Sequence, residues 1–233
     1  MPSSAHKKRM ETASGKLLNF DIMPAQTKKA FEFLSSQDWL KDNGWYLAGG
    51  TALALQAGHR QSYDLDFFTV ERKFDTKKIL DKFYDIPDWK TNLDEENTIY
   101  GELFGAKVSF IAYPFFIPAE DFIKHGVINI LSARDIAVMK IIAISQRGRK
   151  RDFFDLYWCA KNVEPLENTI KRLKKQYPSV AHDYHHILLS MEYFEDAEVD
   201  SGPEINFKAD WLEVKKYFVN EVPRIMKKLM ELK

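Results

Sequence analysis

Cysteine is nearly missing from these 233 residues: Cys159 stands alone, which excludes an internal disulfide and a thiolate metal site. Its place in an apolar helical stretch is explained by burial, and a reducing compartment is expected. Neither charge is in excess, since Lys+Arg and Asp+Glu both number 34, so nothing global points to nucleic acid or to an anionic membrane. Any such partner must be read from local patches. No apolar run is long enough for a membrane span, because the most apolar internal stretch, Ile136 to Ile144, is short and interrupted by Lys140. Met1 to Lys16 is polar and lacks the apolar run of a signal peptide. Low-complexity tracts and repeats of roughly 20–50 residues are absent too. These absences predict a soluble, cytoplasmic protein with a frayed N-terminus and no membrane partner. What is present is a hydrophobic fraction of 45%, enough for a substantial core, in a length suiting one domain with a large appendage or two sharing a core.

Apolar residues recur at helical spacing from Ala25 to Lys41, and Asn43-Gly44 is a good terminator. Trp45 to Ala48 reads as a short buried strand. Gly49-Gly50 then turns the chain into a short helix over Thr51 to Ala57, closed by Gly58. Ser62 to Val70 predicts a second strand and Thr76 to Tyr84 an amphipathic helix. Two further strands, Thr98 to Phe104 and Lys107 to Tyr113, meet at Gly105, and Pro114 and Pro118 end the sheet region. Ser132-Ala133-Arg134-Asp135 resembles a capping box and opens a helix to about Arg147, broken by Gly148. Helices follow over Arg151 to Lys161, Leu166 to Tyr177, around Ile187, and Leu212 to Leu232. The fold class expected is α+β: a disordered tail over residues 1–20, a mixed-sheet core over 21–125, and a helical C-terminal part over 126–233.

Side chains alternate along a strand, so Ser62, Asp64 and Asp66 share one face while Tyr63, Leu65 and Phe67 are expected in the core. Two carboxylates at this spacing repel each other unless a cation lies between them. Hard oxygen ligands suit Mg²⁺, which takes one or two carboxylates together with waters and substrate phosphates. Alone, Asp-x-Asp is more often a solvated edge strand with Arg60 or Lys107 as counter-charge. The turn Gly49-Gly50-Thr51 changes the balance, because a strand entering two glycines and a helix offers backbone N–H groups to phosphate at the positive end of that helix. Turn and carboxylates together place a phosphate cradle beside a metal site, the minimum equipment for metal-assisted phosphoryl or nucleotidyl transfer.

Leu47-Ala48-Gly49-Gly50-Thr51, twelve intervening residues, then Asp64-Leu65-Asp66-Phe67-Phe68 resembles the signature of the DNA polymerase beta-like nucleotidyltransferase superfamily. Within it the sequence is most similar to the AbiEii/AbiGii toxin family, whose helix lysine, basic stretch and Arg-Asp-x-x-Asp-Leu motif match Met139-Lys140, Arg147 and Arg151-Asp152-Phe153-Phe154-Asp155-Leu156. The resemblance covers roughly Trp45 to Cys159. It implies a nucleotidyltransferase-like sheet flanked by helices, with the C-terminal part contributing to the active site. It further implies Asp64 and Asp66 as ligands of Mg²⁺ or Mn²⁺ and a nucleoside triphosphate substrate contacted by Gly49, Gly50, Thr51, Arg60, Ser62, Arg147 and Arg151. Lys140 and Asp152 would complete the catalytic set. A toxin of a toxin–antitoxin or phage-defence pair is implied, with an antitoxin protein as partner and tRNA as a possible acceptor. One departure stands out. The superfamily supplies a third carboxylate from a later strand, and the matching position is Ser109, which can be neither an efficient base nor an anionic ligand. Either Asp152 or Asp155 takes over, or the chemistry is weak or lost.

Between Arg134 and Arg151 six basic residues, Arg134, Lys140, Arg147, Arg149, Lys150 and Arg151, face one acid, Asp135. The patch could hold a triphosphate or a nucleic-acid backbone, or be a solvated loop, and Arg151 could simply pair with Asp155 one helical turn away. Lys140 interrupts an apolar helix, so its charge needs a partner. His182, His185 and His186 have no further metal ligand in view, and the five tryptophans read as packing residues. Two other functions stay open: a degenerate nucleotide- or RNA-binding protein, motivated by Ser109, and transfer to a small hydroxylated molecule of the antibiotic type.

Overall fold

The structure is a computed structural model that describes residues 9–11, 17–42 and 44–231. In chain order it contains β1 (Arg9–Glu11), β2 (Leu17–Asn19), α1 (Ala25–Leu34), α2 (Trp39–Asp42), β3 (Tyr46–Ala48), α3 (Gly49–Ala57), β4 (Leu65–Thr69), α4 (Thr76–Leu80), β5 (Trp89–Glu95), β6 (Thr98–Leu103), β7 (Ala106–Ala112), β8 (Ile123–His125) and β9 (Ile128–Ile130). There follow α5 (Ala133–Arg147), α6 (Lys150–Asn162), α7 (Leu166–Gln176), α8 (Tyr184–Ser190), α9 (Glu195–Glu198) and α10 (Trp211–Glu231). The chain divides into two compact units, one of residues 1–114 and 121–132, the other of residues 115–120 and 133–233. The first unit is built on a mixed seven-stranded sheet of order β5-β6-β7-β4-β3-β9-β8, and the second is helical.

In the sheet unit, β4 lies antiparallel to β3 and parallel to β7, so Phe67 stands beside Phe110 on one face and Asp66 beside Ser109 on the other. The apolar face is packed by aromatic rings around Phe110, with Phe67 at 5.4 Å, Trp45 at 5.3 Å and Trp39 at 5.6 Å between centroids. Rings in this range pack in offset or edge contacts that add to area burial. The other face is therefore the one that can carry chemistry.

Several boundaries differ from the sequence reading. The strand expected from Ser62 starts only at Leu65, because the backbone groups before it are taken by other partners: Ser62 N–H donates to the Ile22 carbonyl at 3.0 Å, and the Tyr63 carbonyl accepts from Thr27 Oγ1 at 2.8 Å. Tyr63, expected in the core, is consequently half exposed. The helix expected through Lys41 stops at Leu34, where the Ser35 and Ser36 hydroxyls bond back to the Glu32 and Phe33 carbonyls and the Ser35 carbonyl accepts from Val127 N–H at 2.9 Å. Pro114 and Pro118 do not end the sheet, since β9 rejoins it parallel to β3 and carries the first unit to Ser132, beyond the expected limit at 125. Nor is the whole stretch 1–20 a featureless tail. Leu17–Asn19 forms a strand with Leu18 fully buried, while residues 1–8 and 12–16 lie outside the described residues. Leu232, the expected end of the last helix, lies outside them as well.

In the helical unit, Phe153 is fully buried among Phe194, Trp211 and Phe218, at 5.2, 5.7 and 5.4 Å between centroids. The segment 115–120 is fastened there by buried Asp135, whose Oδ2 accepts the backbone N–H groups of Ala119 and Glu120, both at 3.1 Å, while its Oδ1 accepts Gln176 Nε2 at 2.6 Å. Cys159 is buried, and burial together with the nearby Asp155 carboxylate pushes its thiol up, so it is an inert core thiol.

Candidate functional site

Gly49 opens α3 with φ +70°, and a Cβ placed on it would stand 3.0 Å from Asp66 Oδ2. Glycine is required here twice over: by a backbone angle that side chains disfavour, and by the carboxylate lying against its Cα. The residue before α3, Ala48, makes no side-chain cap, and the first-turn N–H groups of a helix have no partner inside it. Antiparallel pairing sets Ala48 opposite Asp66 and brings that carboxylate to the turn. The alternation of β4 buries Leu65 and Phe67 and leaves Asp66 part exposed, and Asp64 just before it is part exposed as well.

Thr51, Arg60 and Ser62 lie behind this turn, buried at 1%, 4% and 6% exposure. Thr51 Oγ1 donates to the Asp64 carbonyl and lies 2.8 Å from Ser62 Oγ, so the first turn of α3 is tied to the segment that leads into β4. The Arg60 guanidinium donates to the Gln61 carbonyl at 2.8 Å and closes over Gly50, where an added Cβ would meet Nη2 at 2.2 Å. Of the seven residues singled out for the triphosphate, the sheet unit thus brings together Gly49, Gly50, Thr51, Arg60 and Ser62. A methyl at Gly50 would strike Arg60. Gly50→Ala is therefore expected to displace that guanidinium and weaken nucleoside triphosphate affinity by roughly tenfold, a loss of about 1.4 kcal/mol, with a smaller effect on the melting temperature. Nucleotide titration beside a melting curve checks this, and unchanged affinity would make the turn merely structural.

The remaining predicted residues, Lys140, Arg147, Arg151 and Asp152, belong to the helical unit. Lys140 is 5% exposed, and its Nζ meets Asp152 Oδ1 at 2.5 Å and Asp155 Oδ2 at 2.6 Å, both carboxylates being fully buried. Arg147 Nε donates to the other Asp152 oxygen at 3.2 Å, while about half of its side chain is exposed. Arg151 at the start of α6 is only part buried. Burial alone would raise the Asp152 pKa, but the Lys140 ammonium and the Arg147 guanidinium outweigh it and hold the carboxyl below its ordinary value. The general-base role expected for Asp152 is disfavoured by these surroundings: a carboxylate stabilised in its charged form is a weak base, and its oxygens already serve two cations. Asp155, which the sequence suggested as the partner of Arg151, completes the lysine's shell. Its signal was the spacing of three from Asp152, which sets both carboxylates on one helix face.

The sign of the resulting pH dependence is fixed. A folded pKa below the unfolded value of about 3.9 gives stability that is present above roughly pH 4 and lost as pH falls through the folded value. Melting curves from pH 5 down to 2 should accordingly fall more steeply for the parent than for Asp152→Asn. Equal slopes would remove Asp152 as a source of acid sensitivity.

Among the described residues no group of three or more His, Cys, Asp or Glu side chains is placed to hold a metal. Asp64 and Asp66 are a pair, and that donor set fits a hard divalent cation arriving with phosphate oxygens better than an all-protein cage. No helix among the described residues is long and apolar enough to cross a membrane.

The sequence matches the family described as nucleotidyl transferase AbiEii toxin, type IV toxin–antitoxin system, over residues 32–99 and 100–230. An uncharacterised protein of Aquifex aeolicus (strain VF5) is 37% identical over 184 residues, covering 77% of this chain and 87% of its own length. A solved structure from H. pylori, titled as a nucleotidyltransferase, superposes with a TM-score of 0.52 at 20% identity over 90% of this chain and 99% of that one. The nucleotidyltransferase toxin MenT4 of Mycobacterium tuberculosis H37Rv superposes with a TM-score of 0.52 at 18% identity over 87% of this chain and 89% of that one. The match spans most of the sequence, and the chain belongs to the AbiEii family of nucleotidyltransferase toxins.

Proposed function

We propose that this chain transfers a nucleoside monophosphate from a nucleoside triphosphate to a hydroxyl group, releasing pyrophosphate, with Mg²⁺ or Mn²⁺ bound by Asp64 and Asp66. The observation that carries it is the contact of Asp66 with the uncapped, glycine-bearing start of α3, because it sets an anion-binding turn against a cation-binding carboxylate. When bound, the cation would supply Lewis-acid charge to the phosphates. Gly49, Gly50 and the first-turn N–H groups would receive triphosphate oxygens, with the Arg60 charge behind them. Ser62 and Thr51 would hold the turn to its strand. The acceptor oxygen would form a bond to the α-phosphorus as the bond from that phosphorus to the bridging β-phosphate oxygen breaks, pyrophosphate leaving with the electron pair and the hydroxyl proton passing to solvent water. Within the helical unit, Asp152 and Lys140 would hold Arg147 in place.

In this reading the protein is the toxin of a cytoplasmic toxin–antitoxin pair, its partner a cognate antitoxin protein and its acceptor an RNA such as tRNA. Incubation with α-labelled nucleoside triphosphates, Mg²⁺ or Mn²⁺, and either total RNA or none tests it. Label is expected in the RNA fraction and only with metal. Label in a small hydroxylated acceptor would favour the antibiotic type of transfer. Nucleotide binding without transfer would favour the degenerate reading, for which the serine at position 109 speaks.

A further inference from the structure

With Asp64 and Asp66 read as the metal-binding pair, on which this inference rests, we propose that Ser109 is a positioning residue that holds the Asp66 carboxylate in its cation-receiving orientation. Parallel pairing of β4 and β7 sets Ser109 directly beside Asp66, and Ser109 Oγ donates to Asp66 Oδ1 across 2.8 Å. The serine is 3% exposed, in a strand whose neighbouring positions, Val108 and Phe110, are apolar and buried. A hydroxyl in such a place costs free energy unless it finds a partner, and the partner it has is this carboxylate. Asp66 is thereby confined at both oxygens: Oδ1 by the hydroxyl, Oδ2 by the bare Cα of Gly49, against which a methyl would stand at 3.0 Å.

An aspartate on a strand can otherwise swing about two torsions, the second of them broad. Confinement removes that freedom before the cation arrives. The arrangement also gives a use to the position where the resemblance implies a third carboxylate: the serine adds no charge and no ligand, and acts on the metal through Asp66. Hydrogen bonds to a ligating group orient it in this way, and their loss typically costs about 10–100-fold in metal affinity or activity.

The test is a Mn²⁺ titration followed by the paramagnetic resonance of free Mn²⁺, on the full chain with a saturating triphosphate whose α,β-bridge is a methylene. Ser109→Ala is expected to bind Mn²⁺ about tenfold more weakly than the parent, with a melting temperature close to the parent's. Its turnover at saturating Mn²⁺ should be nearly restored and its metal requirement raised. Ser109→Thr, which keeps the hydroxyl, should bind like the parent. If the added methyl prevents folding, Ser109→Cys, with its weaker donor, should fall with the alanine variant. Parent-like Mn²⁺ affinity in Ser109→Ala would overturn the proposal alone. A parent that binds no Mn²⁺, or an Asp66→Asn variant that binds it as the parent does, would overturn the metal-pair reading and the proposal with it.

Discussion

Asp64→Asn and Asp66→Asn are each expected to lose nucleotidyl transfer by about 10²–10³-fold or more, the scale seen when a group that stabilises transition-state charge is removed, while folding as the parent does. Both carboxylates are part exposed, so neither change opens a core cavity. Neutralising one of two neighbouring carboxylates also relieves repulsion in the metal-free protein. Asparagine keeps an oxygen for the Ser109 hydroxyl, so the strand pairing beneath the site should stay intact. Mg²⁺ or Mn²⁺ titration with nucleotide present, set beside a melting curve, measures both halves of the expectation. If both variants bind metal and nucleotide like the parent, the site lies elsewhere.

Lys140→Met should cost about 3–5 kcal/mol of stability, the usual consequence of breaking a buried ion pair by removing one partner. Methionine fills nearly the same space, so the loss would be electrostatic: Asp152 and Asp155 would remain buried without the ammonium that bridges them. Adding Asp152→Asn and Asp155→Asn to the same chain should recover much of it, because a buried ion cluster as a whole is often close to neutral against uncharged replacements. Since two units could unfold separately, hydrogen exchange in α5 and α6 is a better readout than one melting temperature. A loss below about 1 kcal/mol would show that solvent or another group already compensates the lysine. Arg147→Ala serves as a control. It should leave most of the stability, its side chain being half exposed.

The turn and the carboxylate pair were legible because a strand, a two-glycine turn, a short helix and a returning strand leave little freedom: once β4 pairs antiparallel with β3, Asp66 must come to the turn. The partners of Lys140 were half legible. Its apolar surroundings demanded a counter-charge, but only the packing of α5 on α6 identifies Asp152 and Asp155 as the two that supply it. The edge of the sheet was not legible. β5 is mostly exposed, with only Trp89 and Leu93 part buried, and shows no apolar alternation. β8 and β9 have three residues each, too few to show a period. Ser109 was visible as a departure, but its bond to Asp66 follows from strand register, which a single chain's residue pattern does not state.

The chain passes from one unit to the other at residue 114, returns after 120 and leaves again after 132, so neither unit is a continuous piece of the gene product. A fragment ended at Pro114 would lack β9 and leave one side of β3, the strand leading into Gly49, open to solvent as an unpaired edge. During synthesis β3 must likewise wait more than eighty residues, from Ala48 until Ile130 has left the ribosome, for its second neighbour. Any dissection meant to isolate the sheet unit must therefore keep 121–132. It must also splice out 115–120, which Asp135 holds through Ala119 and Glu120 and Gln176 holds through Ile117, anchors it would otherwise leave behind.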